Sequence, residues 1–251
     1  MSKLRTSVGI IKSLWFYLIG KKINQTNLSF GTVDWDDIKI AIKFLLRPIP
    51  KSSLQIIQTY ENAFSSFNGS KFAFSFFQGR VALNACLYAL DLKEGDKIVI
   101  PAYTCVGVAN ACWIQKLKIE FCDIELETFG LSFMDFEAIL SKHPDVRAVV
   151  VQHLFGLVCR DFQQILDYCK QKGIYVIEDC AHATGTEFKG RKVGNFGEVA
   201  FFSSEQSKVF NTLTGGMAVT NNKQLASKMA TFREKCKVSS KKQVSSNCFH
   251  N

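Results

Sequence analysis

From Leu54 onward the chain alternates between two hydrophobic patterns. Short apolar runs, "KFAFSFF", "DKIVIPAYT", "KIEFCDI", "VRAVVVQHLFG", "IYVIEDC", "VAFFSS" and "MAVTN", predict strands. Between them lie segments whose apolar residues recur three or four apart, as helices require. "LQIIQTYENAFSSFNGS" is the first of these, with Ile56, Tyr60, Phe64 and Phe67 at helical spacing and Asn68-Gly69 as a stop signal. "RVALNACLYAL", "VGVANACWIQ", "SFMDFEAILSK", "RDFQQILDYCKQKG" and "KQLASKMATFREKC" follow. Apolar strands separated by single helices predict a parallel sheet covered on both faces, an α/β three-layer sandwich with a mostly parallel central sheet. Ligands of such sheets bind beyond the carboxyl ends of the strands.

The ends of the chain read differently. Residues 1–50 form an N-terminal extension that closes in the proline-bearing "LLRPIPKSS". Its start, "MSKLRTSVGIIKSLWFYLIGKK", has a basic opening and an apolar run, but Lys12 interrupts the run and no small-residue cleavage pattern follows. The run is too short to span a bilayer. Two readings stand: a membrane-surface helix through residues 8–22, using Leu14, Trp15, Phe16, Leu18 and Ile19, or a helix packed on the protein or on a partner. Residues 51–237 make one large domain. The tail "KVSSKKQVSSNCFHN" is polar and basic, and residues 238–251 read as disordered.

Composition narrows the choices. A hydrophobic share of 47% against 21% charged residues describes a globular interior rather than a disordered chain. The formal charge of +9 suits anionic partners, yet no zinc-finger, RNP or basic-zipper pattern accompanies it, so nucleic acid is not expected. Nine cysteines without a CxxC pair argue for reduced, mostly buried thiols in a cytoplasmic protein and offer no metal-ligand spacing.

The segments that follow the strands carry the chemistry. Gln78-Gly79-Arg80 precedes a helix, where a glycine lets backbone N–H groups approach an anion and Arg80 adds a charge. Asp179 ends "IYVI" and His182 follows. The aspartate suits either a helix cap or a buried carboxylate held ionised by a cation such as a protonated pyridine nitrogen. Ser203 ends "VAFFS", where a hydroxyl can bind phosphate. Lys208 lies in a bed of serines and threonines, as a loop lysine or as an amine poised to form a Schiff base with an aldehyde. In this order, on one α/β chain, these residues supply the main anchors of pyridoxal phosphate.

From about Ile56 to Cys236 the chain resembles the sugar aminotransferase family named after DegT, DnrJ, EryC1 and StrS, a fold-type-I pyridoxal-phosphate family. The resemblance is carried by "QGRVALNACLYAL", "GDKIVIPAYTCVGVANA", "HLFGLVCRDFQQI", "VIEDCAHATGTEFKGRKVGNFGEVAFFSS" and "SKVFNTLTGGMAVTN". It implies the fold of that family's large domain. It further implies that Gly79 and Arg80 bind the cofactor phosphate through backbone amides, with Ser203 touching it. Asp179 would pair with the pyridine nitrogen, and His182 would lie near the ring hydroxyl. Lys208 would hold the cofactor and shuttle protons. Members move an amino group from glutamate to a keto group of a nucleotide-linked sugar and work as homodimers. Three departures stand out. Arg80 replaces a hydroxyl residue, Cys105 stands where an aromatic ring often stacks on the cofactor, and Thr214 precedes the Gly-Gly pair where an acidic residue is frequent. The smaller C-terminal domain of the family has no counterpart in this sequence. The alternative expectation is therefore a non-catalytic, cofactor- or partner-binding subunit that pairs with a full-length relative.

Overall fold

The computed structural model describes residues 53–236 apart from Leu213, together with Lys39, Ile42 and Lys43. The apolar run at 8–22 and the basic tail lie outside the described residues.

Helix α1 (Ser53–Asn68) leads into β1 (Phe72–Phe76), α2 (Gly79–Ala89), β2 (Lys97–Pro101), α3 (Val106–Ile114) and β3 (Lys118–Cys122). Then come α4 (Phe133–Lys142), β4 (Val146–Gln152), α5 (Phe162–Lys172) and β5 (Tyr175–Asp179). A short hairpin, β6 (Glu187–Phe188) and β7 (Arg191–Lys192), precedes β8 (Val199–Ser203), β9 (Gly216–Thr220) and α6 (Lys223–Lys235). Local chemistry marks the helix ends. Ser132 Oγ accepts from the Asp135 N–H at the start of α4, and Asn222 Oδ1 accepts from Gln224 and Leu225 at the start of α6. Gly173, with φ of 68°, closes α5 in the left-handed conformation.

Seven strands form one sheet in the order β1-β9-β8-β5-β4-β2-β3. All run in the same direction except β9, which is antiparallel to both β1 and β8. The mostly parallel sheet expected from the sequence is thus what the chain forms, with β9 as its one reversed strand. No helix separates β8 from β9, so the chain has no crossover to bring it back in parallel and β9 returns antiparallel. The hairpin β6–β7 escaped the periodicity because each strand has only two residues; its turn is Lys189-Gly190, both at positive φ.

Alternate residues along each central strand enter opposite layers. Ile98, Ile100, Ala148, Val150 and Ile177 pack with α2, α3 and α6, whereas Val99, Val149, Val151 and Val176 pack with α4 and α5. On that second face Phe64 of α1 covers β8 and β9 against Ala200, Phe202, Met217 and Val219. β-Branched residues suit such strands, buried on both sides. Of the apolar positions assigned to one face of α1, Phe64 is buried but Ile56 and Phe67 are exposed, because only the central turns of the helix meet the sheet. Glu61 fastens α1 in place: its carboxylate accepts from the Ser75 N–H (2.7 Å) and hydroxyl (2.9 Å) of β1 and from Arg233 Nη1 of α6 (2.5 Å).

Candidate active site

The carboxyl ends of β1, β2, β4, β5 and β8 open into one cleft of about 680 Å³. Each of the residues singled out in the sequence, Gly79, Arg80, Cys105, Asp179, His182, Ser203 and Lys208, lines it.

One wall is the start of α2. Its N-cap, Gln78, makes no side-chain capping bond, so the first amides of the helix face the cleft without a cap. Gly79 lies against β8: a Cβ there would fall 3.2 Å from Ser203 Cβ. The turn is wedged from the other side by Gly216, where an added Cβ would meet the Gln78 carbonyl and the Gly79 nitrogen at 2.5 Å. Glycines at 79 and 216 therefore let three backbone segments converge and bring Ser203 to the helix N-terminus, a geometry suited to an anion. Arg80 is exposed and makes no ion pair among the described residues. The Thr104 hydroxyl oxygen is buried at the cleft without a hydrogen-bond partner, an unmet polar group of the kind a ligand satisfies.

Asp179 is 7% exposed, and its Oδ1 accepts from the Ala181 N–H at 2.9 Å. Turns rather than a helix follow β5, so the helix-cap reading does not hold. Burial pushes its carboxyl up to about 6, against the pull of the Ala181 amide, His153 and Lys208. A buried carboxyl of this kind is short of a cation. Lys208 Nζ lies 2.6 Å from His182 Nε2. Burial, and then the Lys208 charge, lower the His182 pKa, so the neutral imidazole accepts from the ammonium. The lysine loop is anchored at both ends: Ser204 and Thr212 hydroxyls meet at 2.7 Å, and Phe210 packs on Tyr60 and Phe64 of α1.

Cys105 is exposed and caps α3, its sulfur accepting from the Gly107 N–H at 3.4 Å. No aromatic ring occupies that position, and Tyr103 two residues earlier is exposed at the cleft. Several contributors escaped the sequence reading. Gln152 ends β4 and donates to the carbonyls of Tyr103 (2.7 Å) and Phe129 (2.9 Å). His153 is buried at the cleft with Nδ1 accepting from the Cys159 N–H, and Phe155 lies with its ring 5.4 Å from that of His182. Their segment, "QHLFG", reads in the sequence as a strand continuation and as part of the motif "HLFGLVCRDFQQI", with no role given to these residues. His153, Glu178 and Cys180 place three ligand atoms within 4.8 Å of one another. Both Glu178 oxygens already hold the backbone N–H groups of Gly194, Phe196 and Gly197, and burial raises the Cys180 thiol well above its ordinary value, so this cluster is a tie between loop and sheet.

Among the described residues no helix is long and apolar enough to cross a membrane. The chain is similar to GDP-perosamine synthase of Escherichia coli O157:H7, 36% identical over 177 residues that cover 70% of this chain and 48% of that protein. It is 37% identical over 155 residues to the L-glutamine:2-deoxy-scyllo-inosose aminotransferase of Streptomyces kanamyceticus, covering 62% of this chain and 36% of the relative. Its fold superposes on the crystal structure of the aminotransferase from Psychrobacter cryohalolentis with a TM-score of 0.75 and 28% identity, over 82% of this chain and 51% of that one. The chain thus spans between about a third and a half of the length of the curated relatives it matches. Residues 52–250 match the model of the DegT/DnrJ/EryC1/StrS aminotransferase family, and with the sheet order and its relatives this establishes that the chain belongs to that family.

Proposed function

We propose that this protein binds pyridoxal 5'-phosphate and transfers an amino group, from glutamate, to the keto group of a nucleotide-linked sugar that serves as a glycan precursor. The observation that carries the reading is the meeting, in one cleft, of an amine (Lys208), a buried carboxyl short of a cation (Asp179) and an uncapped helix N-terminus beside a hydroxyl (Ser203). These groups fit the amine-reactive aldehyde, the ring nitrogen and the phosphate of that cofactor. When bound, pyridoxal phosphate supplies an aldehyde that condenses with amines and a ring that withdraws electrons from the adjacent carbon.

The rest is the work of this chain. The Gly79 and Arg80 amides and the Ser203 hydroxyl would hold the phosphate, helped by the dipole of α2. Asp179, once ionised, would hold the protonated ring nitrogen. Lys208 Nζ is the amine that would hold the cofactor's aldehyde and, when free, would serve as the acid and base of the site. His182 Nε2 orients that amine through its 2.6 Å hydrogen bond. The apolar side chains of Leu83, Val108 and Phe201 exclude water from the cleft wall. Residues 51–237 act as the cofactor-binding domain, residues 1–50 as an extension and residues 238–251 as a basic tail. The protein works as a homodimer, or paired with a longer relative, in the cytoplasm, with a peripheral membrane contact through residues 8–22.

Absorption spectroscopy of the purified chain with added pyridoxal phosphate, followed by borohydride reduction and mass spectrometry, tests this. The expected result is a reduced cofactor on the Lys208 peptide, lost in Lys208→Ala. Absence of any adduct would leave the second reading, a partner-binding subunit without chemistry of its own.

A further inference from the structure

The turn after β4 holds a phenylalanine in a conformation that phenylalanines avoid. Phe155 has φ of 54° and ψ of 25°, and Gly156 follows with φ of 80°. Glycine is at ease there; a residue with a Cβ is not, and such strain persists only where surrounding structure enforces it. Here the enforcement is visible. The Leu157 N–H donates to the Leu154 carbonyl at 2.9 Å, and the Thr186 hydroxyl donates to the Gly156 carbonyl at 3.1 Å. Packing of the ring is not the compensation, because Phe155 is 63% exposed. The strained turn instead presents a bare phenyl face to the cleft, 5.4 Å from the His182 ring, and His182 in turn touches the Lys208 amine.

A second aromatic shows the same construction. Tyr103 is 53% exposed at the cleft. Phe129 backs it, with ring centroids 6.0 Å apart, and Phe129 also has positive φ (57°). The Gln152 side chain clamps both backbones by their carbonyls. Two loops are thus fixed by hydrogen bonds so that each holds an aromatic ring out toward the ligand space.

We infer that Phe155, supported by Tyr103, is a specificity-determining platform on which the sugar ring of a nucleotide-linked substrate lies. This deepens the function proposed above and rests on it. The apolar C–H face of a hexopyranose fits a flat phenyl surface, and ligand sites combine such surfaces with a few polar groups. Position selects the sugar rather than the base. Phe155 is one residue removed from the reacting amine, where the keto carbon must come, whereas the base lies a diphosphate further out.

The test is titration calorimetry on the full chain loaded with pyridoxal phosphate. The probes are GDP-mannose, UDP-glucose and TDP-glucose with their free nucleotides, against wild type, Phe155→Gly and Phe155→Tyr, with thermal melts of each. Phe155→Gly is expected to weaken the best nucleotide sugar roughly 3- to 10-fold. It should leave the free nucleotide unchanged and keep or raise the melting temperature, since glycine accepts the turn. Phe155→Tyr should bind like wild type. A merely structural phenylalanine would show the opposite: lower melting and unchanged binding. Equal loss for sugar-linked and free nucleotide would overturn the assignment to the sugar. Unchanged binding with altered sedimentation would make Phe155 an interface residue instead. A wild type that forms the Lys208 adduct yet binds no nucleotide sugar would defeat this inference alone, and one that forms no adduct would defeat the proposed function beneath it.

Discussion

Asp179 shows how a single side chain ties stability to ligand binding. Its carboxyl lies near 6 in the folded chain and at an ordinary value near 4 when unfolded, so between those limits the folded state holds more protons. Stability contributed by this group therefore falls as pH rises from about 4 to about 6, and above that the buried charge costs on the order of 3 kcal/mol, two pKa units at 1.36 kcal/mol each. Asp179→Asn should raise the melting temperature of the cofactor-free chain at pH 7.5 by several degrees and change little at pH 4. The same variant should bind pyridoxal phosphate more weakly, because the amide cannot balance a ring cation. Melting curves across pH, with and without cofactor, check both halves; a variant less stable than wild type at pH 7.5 would mean the carboxylate already has a partner in the fold.

At the scale of elements, the pattern of apolar residues located the large strands and helices among the described residues, because each strand is a short apolar run and most are separated by a segment of helical spacing. It could not reveal strand direction, since a buried strand looks the same either way; β9 is reversed by the lysine loop that precedes it. The candidate site was legible where a chemically distinctive residue stands at a strand end or in the loop after it, as at Asp179, Ser203 and Lys208, which the fold brings to one cleft. It was illegible where a side chain matters through backbone geometry. "QHLFG" looks like more strand, yet Gln152 ends β4 and Phe155 turns left-handed. The Gly-Gly pair is an intermediate case, visible as a motif but with its reason in three dimensions. Gly216 starts β9 directly against the backbone of the turn before α2. Gly216→Ala places a methyl 2.5 Å from backbone atoms that no rotamer change can move, so the turn itself must shift. We expect a loss of about 1–3 kcal/mol and, because the same turn carries the amides proposed to hold the phosphate, a loss of cofactor affinity larger than in Ser203→Ala. Denaturant unfolding and cofactor titration measure the two; wild-type affinity in Gly216→Ala would remove the turn from the phosphate site.

For the molecule as a whole, the distribution of apolar surface bears on the proposed homodimer. Helix α3 leaves Val106, Trp113 and Ile114 exposed, and Phe121 is exposed on β3, the edge strand against which α3 packs. Val106 and Trp113 are seven residues apart and so share a helix face. A face of this kind marks an interaction surface rather than an ordinary solvent-facing helix. Its place matters as much as its composition: α3 begins at the residue after Cys105, so a second copy seated on this face would border the cleft. Trp113, at 75% exposure the largest bare side chain of the face, is the natural anchor. Trp113→Glu removes that anchor and would bury a carboxylate in the interface, while touching nothing in the monomer's core. Sedimentation velocity at micromolar concentration should show wild type at twice the monomer mass and Trp113→Glu at the monomer mass, with an unchanged thermal melt for the isolated subunit. Borohydride trapping on the same samples separates assembly from cofactor capture: an adduct on Lys208 in the monomeric variant means that one chain builds the cofactor site alone. A wild type that sediments as a monomer, or a variant that remains dimeric, would place the subunit contact on another face.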